Sequence, residues 1–203
     1  FKDVDFPSAL KEVGKMAGVV ESDTKPKTVI TFKYTDKAGN LLYIKERIEP
    51  GRNGRSKEFF FKHLKDGKWV SGRGGDPVPY RLPEIMQAKE VFIVEGEAKA
   101  DLLHSWGLPA TCLDSGASSP WKDEYLDAFE GKESVTILPD KDKPGREYAL
   151  RIASVLHNKV DSLKIVELPG LSEKGDIVDW EVIPGNDKSK LMTARTTMPR
   201  RNN

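Results

Sequence analysis

Cysteine is almost missing from this chain. One residue of this type, Cys112, stands among 203, so no internal disulfide can form and no cysteine-based zinc site can be built from the chain alone. Long apolar runs are missing too. No stretch approaches the roughly 18 residues that a membrane-crossing helix needs, and the opening Phe1-Lys-Asp-Val-Asp5 has neither the basic segment nor the apolar core of a secretion signal. The cytoplasm is the expected location. The chain opens on Phe1 and not on methionine, the start expected of a piece of a longer protein. A charge excess of one sign is also lacking, at net +1.

That small sum hides an uneven distribution. Residues 25–81 hold 14 Lys and Arg against 6 Asp and Glu, a net of +8, whereas residues 82–181 hold 11 against 20, a net of −9. A basic segment beside an acidic one suits a protein that grips a polyanion with one part and concentrates cations in another, although solvated faces also differ in charge by chance. With 37% apolar and 32% charged residues, the chain can bury one sizeable core and a smaller second one.

Pattern divides the chain further. Phe6–Gly18 has Pro7 near a helix start and Ala9, Leu10, Val13 and Met16 at helical spacing; polar residues 21–27 link it onward. Thr28–Tyr34 and Leu41–Ile48 flank the turn Asp36-Lys-Ala-Gly-Asn40 as a hairpin, and Phe59-Phe-Phe61 and Trp69-Val70 flank Asp66-Gly67. Beyond the Pro-rich residues 77–83, short apolar strands alternate with helical stretches. Strands are expected at 91–94, 110–113, 135–138 and 163–166, and helices at 98–106, 121–129 and 146–156. Such alternation implies an α/β fold with a parallel sheet and right-handed crossovers. The polar stretch from Asp187, with Arg195, Arg200 and Arg201, reads as a flexible basic tail over 187–203.

In an open parallel sheet, functional groups collect beyond the carboxyl ends of the strands. Acids stand there: Glu95-Gly96-Glu97 after one apolar strand, Asp114-Ser-Gly-Ala117 after the next, and Asp140-Lys-Asp142 after the third. In extended chain, residues i and i+2 share a side, so Asp140 and Asp142 can converge on one cation or on two neighbours. Oxygen-only ligands suit Mg²⁺ or Mn²⁺ rather than zinc, and such a site polarises phosphoryl groups and activates an oxygen nucleophile. The same Asp-x-Asp also serves a plain turn that caps the helix after Pro144, and short motifs recur by chance. Glu97 and Lys99 read as ordinary first-turn and surface residues of a helix.

These motifs carry a resemblance. Val94-Glu95-Gly96-Glu97 with Asp101, Pro139-Asp140-Lys-Asp142-Lys-Pro-Gly145 and Lys174-Gly-Asp176-Ile-Val-Asp179-Trp180 are similar, in order and across about a hundred residues, to the Toprim domain of phage and plasmid-type DNA primases. The resemblance implies a Rossmann-like Toprim fold over 81–186, with a mostly parallel sheet flanked by helices, preceded by a small antiparallel β-rich subdomain over 25–80. It implies Glu95, Asp140 and Asp142 as catalytic and metal residues, Asp176 and Asp179 as further ligands of Mg²⁺ or Mn²⁺, and Gly96, Ser115, Gly116 and Lys174 around a nucleotide. Residues 1–24 resemble the helical end of an upstream zinc-binding module and its linker.

The activity so implied is metal-dependent ribonucleotidyl transfer in DNA replication, making RNA primers from nucleoside triphosphates on single-stranded DNA. A replicative helicase, fused or separate, is the implied partner. Arg47, Arg52, Arg55, Lys57, Lys62 and Arg73, interleaved with Phe59–Phe61 and Trp69, are the candidate nucleic-acid contacts: basic side chains neutralise phosphates while exposed aromatics stack on bases. The phenylalanines serve equally as core. A Toprim nuclease using water as nucleophile, a non-catalytic single-stranded DNA-binding module and a receiver-like acidic domain are the other readings. A topoisomerase would need a nucleophilic tyrosine in a recognisable setting, which none of the five tyrosines has.

Overall fold

The computed structural model describes residues 25–116 and 121–197. The expected helix at 6–18, the zinc-module remnant, Ala117 and the last residues of the tail lie outside them. Four strands, β1 (Lys27–Thr35), β2 (Leu41–Glu49), β3 (Glu58–Lys65) and β4 (Lys68–Ser71), form one sheet in the order β1-β2-β3-β4. Both hairpins fall at the expected turns. Asp66 and Gly67 take the left-handed backbone that a tight turn needs, and β3 and β4 pair antiparallel with Leu64 opposite Trp69.

A second, parallel sheet runs in the order β6-β5-β7-β8, from β5 (Glu90–Ile93), β6 (Ala110–Thr111), β7 (Ser134–Ile137) and β8 (Leu163–Ile165). Val91 lies opposite Val135, and Val135 opposite Leu163. Both faces are covered, as the continuous apolar runs require. Phe92, Val94, Ala110 and Val166 belong to one buried cluster, and the alternate residues Val91, Ile93, Val135 and Ile137 to another. The covering helices are α1 (Leu82–Gln87), α2 (Glu97–Ser105), α3 (Lys143–Leu156), α4 (Ile177–Glu181) and α5 (Lys188–Thr197). The helix expected at 121–129 is a 3-10 turn over Asp123–Ala128.

Two features differ from expectation. The tail from Asp187 is helical through Thr197: Leu191 is fully buried, and Arg195, itself buried, pairs with Glu90 and donates to Ser134 Oγ. Leu191, with Met192 and Ala194 packed against the same cluster, and the long-range Arg195–Glu90 pair hold a helix whose own composition is mostly polar. The chain also does not divide at residue 80. Among the described residues its compact units are residues 25–30 with 47–59, and residues 31–46 with 60–116 and 121–197. In the first, Arg52 and Arg55 both reach Glu58 across the Gly-rich loop. In the second, the 31–46 segments of β1 and β2 share one core with the parallel sheet, through Phe32, Tyr34 and Tyr43.

Candidate active site

The site forms where β5 and β7 end. Glu95 stands two residues past β5 and Asp140 three past β7, and Glu95 Oε1 accepts the Asp140 amide at 3.0 Å. A third loop joins them because backbone bonds zip it to the second: Lys141 N donates to Gly175 O and Lys174 N to Lys141 O. That places Asp176 beside Asp140. Lys99, in the first turn of α2, completes the group, with its Nζ on both carboxylate oxygens of Asp140 and 3.1 Å from Asp176 Oδ2. Three elements thus meet on one ammonium.

Three further carboxylates serve the backbone. Asp142 is the N-cap of α3 and accepts from Gly145 N at 2.8 Å; this is the capping role that the Asp-x-Asp spacing left open. Asp176 caps α4 through Oδ1, and Asp179 turns back onto the Asp176 amide to close a capping box. Asp179 is therefore engaged locally, whereas Asp176 keeps Oδ2 on Lys99.

Burial pushes the Glu95 carboxyl above the usual carboxylate range, and the Asp140 charge adds to this. Burial also raises Asp140, against the pull of Lys99 and with help from Asp176 and Asp142. A carboxyl raised in this way favours the folded state only while protonated. The pair therefore costs stability as pH climbs from the ordinary carboxylate range through the raised values. Burial disfavours the Lys99 ammonium, but its bonds to Asp140 and the charges of Asp140 and Asp176 outweigh that and hold the amine above its usual value.

The all-oxygen donors and their mutual repulsion fit a hard divalent cation. Among the described residues no three His, Cys, Asp or Glu stand together as a ready metal cluster, and the countercharge at Asp140 is Lys99.

Gly145 keeps the site closed. A Cβ there would lie 2.4 Å from Asp140 O and 2.6 Å from Glu95 Oε1. Gly145→Ala should cost about 1–3 kcal/mol by overpacking, seen as a lower urea midpoint, and should push Glu95 away from the Asp140 amide; an unchanged midpoint would show that the turn yields freely.

The other sequence candidates sit on several elements. Gly96 is the extended N-cap of α2, Gly116 has a left-handed backbone, and Lys174, also left-handed, is exposed. Ser115 is tied to Asp114 and Arg73. Arg73 itself is not a free basic contact: its guanidinium pairs with the fully buried Asp114 and lies 4.7 Å over Phe61. Lys62 pairs with Glu46, and Arg47 with Glu49. Arg52 and Arg55 are exposed and share Glu58, and Lys57 is exposed.

Sequence reasoning missed the part played by Lys99 and by buried Glu97, which receives Tyr34 OH and Lys45 Nζ. The faint signals were Lys99 one helical turn after Glu95 and Lys45 in step with Tyr43 along β2.

No family model matches the chain. It is 29% identical over 126 residues to the Gene 57 protein of Mycobacterium phage D29, covering 61% of this chain and 79% of that one. A DNA primase domain from Pseudomonas aeruginosa superposes with a TM-score of 0.59 at 20% identity, over 84% of this chain and 51% of that structure. The primase fragment of the bacteriophage T7 primase-helicase protein does so with 0.54 at 21%, over 91% and 70%. The chain thus has the fold of DNA primase catalytic cores, and spans about half the length of the Pseudomonas structure.

Proposed function

We propose that this chain is the Toprim-containing catalytic core of a DNA primase, joining ribonucleotides on a single-stranded DNA template with Mg²⁺ or Mn²⁺ held by Glu95, Asp140 and Asp142. The observation that carries the reading is the convergence of Glu95 and Asp140 beyond the ends of adjacent parallel strands, at a hydrogen bond of 3.0 Å, in a chain with the primase-core fold.

The bound cation would neutralise phosphate charge and align a triphosphate against a 3′-hydroxyl. The chain's own groups prepare that place. The Asp140 amide fixes the Glu95 carboxylate, Gly145 leaves room for it, and the Lys141–Gly175 and Lys174–Lys141 backbone bonds hold Asp176 alongside. Asp176 is better placed than Asp179 to join the cation, since Asp179 is turned onto the Asp176 amide. Gly96, Ser115, Gly116 and Lys174 remain the proposed nucleotide neighbours. For the template, Lys57 and the Glu58-paired Arg52 and Arg55 offer solvent-facing cations in the first unit. Trp69, half-exposed on β4 between Lys68 and Val70, offers a stacking face in the second. The T7 neighbour is part of a primase-helicase, which supports a helicase as partner.

The test is metal removal. The full-length protein, given single-stranded DNA and labelled ribonucleotides, should make short RNA with Mg²⁺ or Mn²⁺, stop in EDTA and resume when the metal is returned. Metal-dependent cutting of the template without RNA synthesis would replace this reading with the nuclease.

A further inference from the structure

The proposed metal ligands already share a cation. Lys99 Nζ touches both carboxylate oxygens of Asp140 and lies 3.1 Å from Asp176 Oδ2. It does so from a different element than either acid, and its side chain is only 15% exposed. A surface lysine on a helix has no need of such a position, because the long, flexible stem permits many solvated alternatives and fixing it costs side-chain entropy. Asp140 and Asp176 would face each other uncompensated without it. A divalent ion brought to the same two Asp140 oxygens meets the ammonium as a like charge a few ångströms away, so the two compete for the carboxylate.

We propose that Lys99 is the resident counter-cation of the carboxylate cluster, and that a divalent ion must displace it from Asp140. Lys99 then does two things. It keeps Asp140 and Asp176 together in the metal-free protein, and it raises the cation concentration at which the site fills. This rests on the reading that the cluster takes a metal, and the experiment separates the two.

Mn²⁺ is titrated into wild type, Lys99→Met, Lys99→Arg and Asp140→Asn, with free Mn²⁺ followed by electron paramagnetic resonance and thermal melting run in EDTA and in Mn²⁺. Losing a competing charged hydrogen bond should tighten Mn²⁺ binding of Lys99→Met about tenfold. The same variant should melt below wild type in EDTA and gain more from Mn²⁺ than wild type does. Lys99→Arg should follow wild type. Lys99→Gln, which keeps a polar group in place, gives the same comparison if the methionine variant does not fold without metal. If wild type binds Mn²⁺ and Asp140→Asn does not, but neither Lys99 variant binds more tightly, the counter-cation proposal fails while the metal site stands. If wild type itself takes up no Mn²⁺, both fail.

Discussion

Asp140→Asn should abolish metal-dependent primer synthesis, by on the order of 10³-fold or more, since removing one pre-placed group from a charge-stabilising site costs several kcal/mol of barrier. Asparagine keeps the volume of the side chain, and the backbone amide of residue 140 still donates to Glu95. What disappears is the negative charge on which Lys99, and the proposed cation, converge. Folding should survive, since a raised, crowded carboxylate is not a source of stability at neutral pH. Single-stranded DNA binding, measured by fluorescence anisotropy, should be unchanged because no charge in the basic segment is altered. Primer synthesis that persists at wild-type rates would remove Asp140 from the chemistry and the proposed site with it.

The second large effect is on stability. Asp114 is fully buried and serves four partners: the Arg73 guanidinium, the hydroxyls of Tyr43 and Tyr125 at 3.0 and 2.8 Å, and Ser115 Oγ. Burial, with the Asp114 charge next, raises both tyrosines, so they stay neutral donors across the usable pH range. Asp114→Ala strands a guanidinium and two hydroxyls at once. Breaking a buried pair from one side costs about 3–5 kcal/mol; Arg73 is partly exposed, which favours the lower half of that range. Urea unfolding followed by tryptophan fluorescence should show the loss as a lower midpoint with an unchanged slope. Adding Arg73→Met should recover part of it, because the unpaired charge is itself the cost. A loss under about 1 kcal/mol would mean that water reaches all four partners.

Sequence legibility followed physical range. Period and composition placed every strand of both sheets within a few residues, because β-branched runs and turn residues act locally. The acids at the strand ends were legible for the same reason. The helix α1 was hidden inside a Pro-rich connector, although Pro83 sits at a helix start where proline is tolerated. Helix α5 was hidden because Leu191 and Arg195 find their partners far away in sequence, at the parallel sheet. The Lys99 bridge was hidden likewise: nothing near Lys99 in the chain announces that residues 140 and 176 will arrive.

Composition changes sign near residue 80, which makes that point look like the natural place to cut. The buried bonds from Tyr34 and Lys45 to Glu97, and from Tyr43 to Asp114, make such a cut damaging. A piece starting at residue 81 would retain the whole parallel sheet and every proposed ligand. It would nonetheless strip donors from two interior acids: Glu97, at the first turn of α2, would lose Tyr34 and Lys45, and Asp114, just past β6, would lose Tyr43 and Arg73. For anyone trimming this protein to its smallest stable part, the 31–46 segments of β1 and β2 belong as much to the unit with the candidate site as the strands that lead to Glu95 and Asp140.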